Sequence, residues 1–440
     1  MPEGDALTSA GKNAFGAYVA RAERSGQLVV QPRMGFADPK AMRSGLLAVR
    51  AASATTIGTL TIDSFTRVGR PEAARRALDG NRALNGYPIA THSTATNRAV
   101  LDGVLGPEFP VQVRHGSAQP QAIISALTRA GLDATEGGPV SYCLPYGRTP
   151  LRESVKNWRE SCELLAAVRE RGAQPHLETF GGCVMGQMCP PSLLVALSLL
   201  EALFFRQLGL RSISMSYAQQ TDAGQDAQAI RALRALAAEL LTDVEWHVVL
   251  YAYMGVYPRS RRGALLLLEE AAALAVRTGA ARLIVKTAYE AHRLPTVTEN
   301  VEALEIASLV ARTTERAPVR DDTDNEVLAE ARQLVEHVLE LNADIGQALL
   351  EAFARGLLDV PYCLHPDNRR RSGSFIDTDG WLRWTSVGAM PLPTSAAAGS
   401  CRALTADGLL TSLTHVQRKF DALARASGCP ARQPKGTKSS

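Results

Sequence analysis

Three arginines follow short β-branched runs in the first third of the chain. Arg33 ends the run QLVVQPR, Arg67 ends TIDSFTR, and Arg114 follows PVQV, in front of His115. In a parallel barrel the carboxyl ends of the strands meet at one mouth, so these guanidinium groups would converge there. Each can hold a carboxylate through two hydrogen bonds, and without anions their convergence would be costly. The pattern predicts a site for a dicarboxylate or a phosphate; the alternative is three surface residues in separate salt bridges.

A glutamate, two glycines and two tyrosines form a second group in the stretch TEGGPVSYCLPY. Glu136 precedes the glycines, and Tyr142 and Tyr146 follow them with a spacing of four. Glycines let a backbone come close to a ligand, and the tyrosines supply hydroxyl donors. These residues therefore suit a polar binding site; the alternative is a glycine turn followed by core tyrosines.

A lysine and a glutamate close the last of the β-branched runs. Lys286 ends LIVKT and Glu290 follows four residues later, the spacing of an ordinary helical ion pair unless a ligand lies between them. No HxH, HExxH or Cys/His cluster has the spacing of metal ligands, and GxSxG is absent. We expect neither a metal site nor nucleophilic hydrolase chemistry.

The elements that must position these residues alternate regularly. Short β-branched runs alternate with longer Ala/Leu/Arg segments of helical period, which is typical of a parallel sheet covered by helices. Four of the helical segments end in a glycine directly before the next strand, as helix C-caps do. No GxGxxG or Walker sequence favours an open sheet, so the pattern predicts an α/β fold, a (β/α)8 TIM barrel. The predicted strands are 27–33, 57–67, 110–116, 140–146, 175–181, 212–218, 245–254 and 282–287.

Four regions follow from this pattern: an N-terminal segment, 1–26; the barrel, 27–359; a C-terminal extension of helical and irregular structure, 360–430; and a disordered tail, 431–440. The chain is 46% hydrophobic and 5% aromatic, which excludes a disordered chain and predicts an aliphatic core. The net charge of +4 is too small to indicate nucleic acid or membrane partners. Seven cysteines without a CxxC pair, and no apolar signal segment, predict a cytoplasmic protein.

Several motifs come in the order seen in one enzyme family. They are QPRMG, TIDSFTR, LNGYP, RHG, EGGPVSYCLPY and VKTAYEA, followed by PT. Over roughly residues 27–390 the chain resembles the large epsilon subunit of glutamate mutase, also called methylaspartate mutase. The resemblance implies a barrel capped by a separate small subunit, and a reversible radical rearrangement of L-glutamate to (2S,3S)-3-methylaspartate that depends on adenosylcobalamin.

The resemblance also assigns roles. The three arginines would form a claw on the two substrate carboxylates, and Glu136 would be the catalytic residue that meets the substrate ammonium. The DxHxxG motif that supplies a cobalt ligand in these enzymes is absent here, so the cobalamin-binding small (sigma) subunit must be another polypeptide, within a heterotetramer that contains a homodimer of this chain. The resemblance implies that the substrate is bound by Arg33, Arg67, Arg114, Glu136, Tyr142 and Tyr146. It implies that the cofactor is bound by Gly35, Asn85, Pro145, Lys286 and Glu290.

Three stretches depart from the family pattern, one of them 217–222, which reads YAQQTD where the family has a glycine-rich sequence. An Asn-Arg-Glu triplet of the family reads His176-Leu177-Glu178 here, and a His-Gln-Trp-Met-Gly stretch reads YAYMG over 251–255. These positions would lie near the mouth but outside the claw. They leave open a related cobalamin-dependent mutase for another amino dicarboxylate, or a binding subunit without turnover.

Overall fold

Eight short parallel strands form the centre of the molecule. Their order around the sheet is β1-β8-β7-β6-β5-β4-β3-β2, and a parallel bridge between Val30 and Thr56 joins the two edges. The predicted (β/α)8 TIM barrel is confirmed. The structure is a computed structural model that describes residues 15–80, 84–145, 147–184, 188–316, 325–393 and 405–427. The strands are β1 Val29–Gln31, β2 Gly58–Thr61, β3 Val111–Arg114, β4 Ala134–Gly137, β5 His176–Thr179, β6 Ser212–Ala218, β7 Glu245–Tyr251 and β8 Arg282–Ile284.

Helices cover the outside of the barrel. Gly131, Gly172, Gly209 and Gly279 end four helical segments with φ between 73° and 92°, which confirms the predicted C-caps. None of the described helices combines the length and apolar content needed to cross a bilayer. The helices are α1 Phe15–Arg24, α2 Pro39–Ala51, α3 Ser64–Arg67, α4 Pro71–Asp79, α5 Thr94–Leu101, α6 Gln121–Ala130, α7 Leu151–Ala166, α8 Pro191–Gln207, α9 Ala223–Leu240, α10 Arg261–Thr278, α11 Val297–Thr313, α12 Glu326–Leu339, α13 Ile345–Arg355, α14 Ala406–Leu413 and α15 His415–Ser427, with 3-10 turns at Ala167–Arg171 and Gly181–Cys183.

Additional elements surround the ring of helices. Helices α12 and α13 pack outside α8, whose residues are almost all buried as a result. The C-terminal extension, predicted as helical and irregular, also contains an antiparallel hairpin, β9 Ser372–Ile376 and β10 Leu382–Val387. Helix α15 packs against α10 and buries Val416 and Phe420 beside Tyr253 and Tyr257. The tail at 431–440 lies outside the described residues.

Two predicted strands were wrong in their bounds. The fourth strand is β4, at Ala134–Gly137, and not 140–146; its sequence, ATEG, has weak strand propensity, but it pairs with β3 and β5 on both sides. The strand predicted over 57–67 ends at Thr61, because the Asp63 side chain caps α3.

The inside of the barrel is polar, so the predicted aliphatic core lies outside the ring of strands. Arg282 of β8 and Glu178 of β5 form an ion pair with both side chains fully buried. Glu178 Oε2 also accepts hydrogen bonds from Gln112 Nε2 at 3.1 Å and Ser214 Oγ at 3.2 Å, and Gln31 donates to Gln112 at 2.8 Å. Aliphatic residues lie instead in the layer between strands and helices, where the strands contribute Val30, Leu60, Val113, Leu177, Ile213, Val248, Leu250 and Leu283.

Helix α1 closes the amino-terminal end of the barrel. The Phe15 ring stacks on His176 with centroids 4.5 Å apart, and the Arg282 guanidinium lies 5.1 Å from the centre of the same ring. Burial, together with the charge of Arg282, lowers the pKa of His176 and His247 well below the ordinary value. Both histidines are therefore neutral, and Arg282 keeps Glu178 as its counter-ion.

We expect Arg282→Met to lower the free energy of unfolding by about 3–5 kcal/mol, because Glu178 would stay buried without a counter-ion. Urea unfolding followed by circular dichroism measures the change. Arg332→Met is the matched control, since Arg332 pairs with Glu239 on the surface and should change the free energy by about 1 kcal/mol or less. Equal effects of the two variants would contradict the central role of the buried pair.

Candidate active site

A cavity of about 260 Å³ opens at the carboxyl ends of the first four strands, and all three arginines line it. They reach it from different elements: Arg33 follows β1, Arg67 ends α3, and Arg114 ends β3. Arg114 pairs with Glu136, whereas no acidic residue in the described part of the chain forms an ion pair with Arg33 or Arg67. The alternative of three separate surface salt bridges does not hold.

Local geometry turns Arg67 toward the other two arginines. Asp63 Oδ1 accepts the amide hydrogens of Phe65 at 2.9 Å and Thr66 at 3.0 Å, which starts α3 immediately after β2. Arg67 is the last residue of this single turn. Gly116 has a φ of 84°, and a Cβ there would lie 3.2 Å from Arg67 Cδ. The glycine of the RHG motif thus leaves room for the arginine side chain.

Glu136 is the acidic group of this cavity. Arg114 Nε donates to its Oε2 at 2.7 Å, the Tyr142 hydroxyl donates to Oε1, and the Tyr251 hydroxyl lies 2.7 Å from Oε2. The carboxylate is buried, so these donors replace its water. Tyr251 is a site residue that the sequence did not reveal as one; its position at the end of β7 was the available signal.

The paired glycines serve packing. A Cβ on Gly137 would overlap the Trp158 ring, and one on Gly138 would overlap the Glu201 carboxylate. Glu201 of α8 accepts the amide hydrogens of Val140 at 3.1 Å and Ser141 at 2.9 Å, and that of Phe180 at 3.3 Å. This buried carboxylate thus holds the loop that carries Tyr142 beside Glu136. Close packing thus requires glycine at both positions, independently of any ligand.

His115 is a second residue whose role in the cavity was missed. It lines the cavity, and burial, followed by the charge of Arg114, lowers its pKa to about 3, so the ring is neutral. Its Nδ1 accepts the amide hydrogen of Ser117 at 3.1 Å, which leaves the proton on Nε2. This nitrogen has no hydrogen-bond partner within the described residues. It is a buried donor whose hydrogen bond is unmade, and its signal in the sequence was adjacency to Arg114.

Three of the proposed cofactor residues, Asn85, Lys286 and Glu290, lie in the cavity or close to Arg33, which lines it. Asn85 lines the cavity, and Lys286 Nζ lies 3.8 Å from a Glu290 oxygen and 4.7 Å from the centre of the Tyr257 ring. The ion pair that the spacing indicated is therefore present, but residues 285–290 form no helix and the pair spans a turn. Burial, and then the charge of Arg33, lower the pKa of Lys286 to about 8.

The remaining predicted site residues lie elsewhere or are not described. Gly35 packs against the backbone carbonyl of Thr61, where a Cβ would overlap it. Pro145 lines a second cavity, of about 380 Å³, together with Leu364. Tyr146 lies outside the described residues. Among the residues that are described, no group of three His, Cys, Asp or Glu could hold a metal ion.

Two of the departures from the family pattern, at Leu177 and at 251–255, have different consequences. Leu177 lies in the hydrophobic layer between strands and helices, away from the cavity. Tyr251 contacts Glu136 directly, and Tyr253 packs against α15. The departure at 251–255 therefore changes the contacts of Glu136, whereas the departure at Leu177 changes only packing.

Comparison with known proteins assigns the family. The family described as methylaspartate mutase E chain (MutE) matches residues 10–408. The chain belongs to this family. It is 29% identical to the glutamate mutase epsilon subunit of Escherichia coli O157:H7 over 396 residues, which cover 86% of this chain and 81% of the relative. It is 30% identical to that of Halobacterium salinarum over 390 residues, 85% of this chain and 80% of the relative.

Among solved structures, a tryptophan synthase from M. tuberculosis superposes with a TM-score of 0.35 at 11% identity, covering 68% of this chain and 99% of that one. This likeness is too weak to carry an argument. The barrel assignment rests on the strand order and pairing of the chain itself.

We expect Glu201→Gln to lower the free energy of unfolding by roughly 1–3 kcal/mol, because an amide NH2 would face backbone donors. Burial raises the pKa of Glu201 to about 7, although its hydrogen bonds lower it. Between the ordinary pKa of 4.5 and the raised pKa of about 7, the native chain binds more protons than the unfolded chain, so wild-type stability falls as pH rises through this range. The difference in the free energy of unfolding between wild type and Glu201→Gln should therefore be smaller at about pH 8 than at about pH 5.

Urea unfolding at the two pH values measures this difference. Glu163→Gln, on the exposed side of α7, is the control and should leave the stability and its pH dependence unchanged. A difference that stays constant over this range would contradict the raised pKa of Glu201.

Proposed function

We propose that the chain is the catalytic large subunit of an adenosylcobalamin-dependent glutamate mutase, an isomerase that interconverts L-glutamate and (2S,3S)-3-methylaspartate. The observation that carries the proposal is the cavity in which Arg33, Arg67 and Arg114 converge beside Glu136. Membership in the methylaspartate mutase E chain family supports the same function.

The charges of the cavity suit a small amino dicarboxylate. Arg33 and Arg67 form no ion pair with a described acidic residue, so their two positive charges are available for carboxylates. The Nε2 hydrogen of His115 adds a neutral donor that a carboxylate oxygen can satisfy. Glu136 is the one carboxylate that lines the cavity in the described part of the chain, and we assign it to the substrate ammonium. Three guanidinium groups that each bind a carboxylate would hold the substrate in one orientation throughout a rearrangement.

The residues around Lys286 fit an adenosyl group. The Tyr257 hydroxyl is buried with no partner among the described residues, next to the ion pair of Lys286 and Glu290. Such donors and acceptors suit ribose hydroxyls, and we assign Lys286 and Glu290 to that contact, with Gly35, Asn85 and Pro145 as further cofactor contacts. When bound, adenosylcobalamin supplies radical chemistry by homolysis of its cobalt–carbon bond. The chain itself orients the substrate and excludes water from the barrel.

The proposal includes a cobalamin-binding small subunit on the barrel mouth, with two copies of this chain in a heterotetramer. The chain has no DxHxxG motif. Exposed apolar side chains lie on segments that follow strands or line the second cavity: Val68 at the end of α3, Leu294 after β8, and Leu364 beside Pro145. We also propose a cytoplasmic location, which agrees with five buried cysteines that are free among the described residues.

A related mutase for another amino dicarboxylate is the second candidate. Tyr251, which contacts Glu136, stands where the family has a different residue, so the ammonium end of the substrate site differs. Incubating the chain with a cobalamin-binding small subunit, adenosylcobalamin and a panel of amino dicarboxylates separates the two candidates. Methylaspartate from glutamate supports the first, and turnover of another member alone supports the second. If none turns over with a small subunit shown to bind, the chain is a binding subunit and the proposal fails.

We expect Arg67→Lys to lower kcat/KM for glutamate by roughly 10- to 100-fold, the effect of losing a charged hydrogen bond of about 1.5–3 kcal/mol. A lysine keeps the charge but not the planar pair of donors. Arg70→Lys is the control, because Arg70 is exposed three residues away and does not line the cavity. Near-normal turnover in Arg67→Lys would contradict the assignment of Arg67 to a substrate carboxylate.

A further inference from the structure

A loop without a helix or strand of its own carries Tyr257. Residues 252–260 follow β7 and lead into α10, at the carboxyl end of the barrel. The centre of the Tyr257 ring lies 4.7 Å from Nζ of Lys286, which pairs with Glu290. The shape of this loop therefore decides where Tyr257 lies relative to that ion pair.

Helix α15 forms hydrogen bonds with the backbone of this loop. Asp421 accepts the amide hydrogen of Arg259 at 3.1 Å through Oδ2 and that of Ser260 at 2.9 Å through Oδ1. Gln417, one helical turn earlier, donates from Nε2 to the Tyr257 carbonyl oxygen at 3.2 Å. Backbone groups that lose water in a packed loop need such partners. Two side chains of α15 thus hold three backbone groups near the end of the loop.

The same carboxylate orients the start of α10. The Ser260 hydroxyl donates to Asp421 Oδ1 at 2.6 Å and accepts the amide hydrogen of Gly263 at 3.2 Å, so Ser260 is the N-cap of α10. A Cβ on Gly263 would lie 2.9 Å from Asp421 Oδ1 and 3.0 Å from the Phe420 carbonyl oxygen, and would push the two helices apart. Asp421 therefore joins the loop, the cap of α10 and α15.

Apolar side chains of α15 pack on the same loop. Val416 and Phe420 lie four residues apart on one face of the helix, and both are almost fully buried. They form one cluster with Tyr253 and Tyr257. The helix thus covers the side chains of the loop as well as binding its backbone.

Two departures from the family pattern contact this helix. Lys419 Nζ donates to the Thr221 carbonyl oxygen at 3.3 Å, just beyond the end of β6. Thr221 belongs to the departure at 217–222, and Tyr253, which packs on α15, belongs to that at 251–255. The residues matched by the family end at 408, before α15 begins. The helix and the two departures therefore form one contact surface of this chain.

We propose that α15 braces the part of the site that receives an adenosyl group, with Asp421 and Gln417 as positioning residues. They hold Tyr257 beside Lys286 in the ligand-free chain, so that binding does not have to order the loop. A loop ordered only about a tenth of the time would lower the apparent affinity about tenfold. The inference rests on the proposed function, in which Lys286 and Glu290 contact the ribose.

Hydrogen exchange of the full chain without ligand tests the brace. In Asp421→Asn a carboxamide NH2 replaces one acceptor oxygen, so an amide of Arg259 or Ser260 loses its partner. Peptides that contain residues 252–260 should exchange roughly 10-fold faster, as expected for the loss of a hydrogen bond to a charged group. Peptides that contain β1 to β4 should exchange as in wild type.

Two further variants support the interpretation of the exchange rates. Gln417→Met removes an independent contact with the same loop and should accelerate exchange of the same peptides, by a smaller factor because the lost hydrogen bond is neutral. It keeps the inference testable if Asp421→Asn does not fold. Asp407→Asn is the matched control, since Asp407 is exposed on α14, and it should leave exchange unchanged.

A binding measurement separates positioning from general loss of structure. With a cobalamin-binding small subunit present, the apparent Kd for adenosylcobalamin, read from its visible absorption, should rise roughly 3- to 10-fold in Asp421→Asn. The KM for glutamate and kcat at saturating cofactor should stay within about twofold of wild type. A merely structural loss would lower the active fraction, and hence kcat, while Kd stayed constant.

Other outcomes overturn the inference. These are faster exchange throughout the chain in both variants, or faster exchange of the loop with an unchanged Kd for adenosylcobalamin. If wild type itself binds no adenosylcobalamin beside a small subunit shown to dock, the proposed function fails and the inference fails with it. Unchanged exchange of the loop in both variants contradicts the inference alone.

Discussion

The buried pair of Arg282 and Glu178 is the constraint on which the barrel depends. Removing two charges from water is costly unless every remaining donor and acceptor is satisfied. That requirement explains why the strand positions facing the interior carry Gln31, Gln112 and Ser214 in place of aliphatic residues. It also explains the aromatic lid on the lower end, where Phe15 of α1 covers the guanidinium group and excludes water.

Charge compensation divides the barrel into two levels. In the lower level, Arg282 has Glu178 and two neutral histidines around it, and nothing there requires a ligand. In the upper level, Arg114 has Glu136, but Arg33 and Arg67 form no ion pair with a described acidic residue. The upper level therefore has a positive surplus in a confined cavity, and an anionic ligand is what would neutralise it. The lower level gives that site a rigid floor.

Local signals predicted much of this fold. The C-cap glycines and the β-branched runs depend on nearby sequence, so most strands and helix ends were located correctly. Strand β4 was missed because ATEG has little strand propensity and exists through pairing with β3 and β5. The turn at Asp63, which starts α3 and aims Arg67, was visible only as a capping residue inside an apparent strand. The convergence of the arginines was predicted because it follows from barrel topology and needs no knowledge of contacts.

What the sequence could not predict is which partner each inward residue meets across the barrel. Successive strand residues alternate between the helix layer and the interior. Whether a departure from the family pattern changes packing or the site therefore depends on which of the two sides its side chain faces. Leu177 is one residue out of phase with Glu178 and therefore packs among aliphatic side chains. Tyr251 faces inward from a strand on the far side of the barrel and reaches both Glu136 and Glu178. A change at the first kind of position is absorbed by packing, whereas a change at the second kind alters the hydrogen bonds of the site itself.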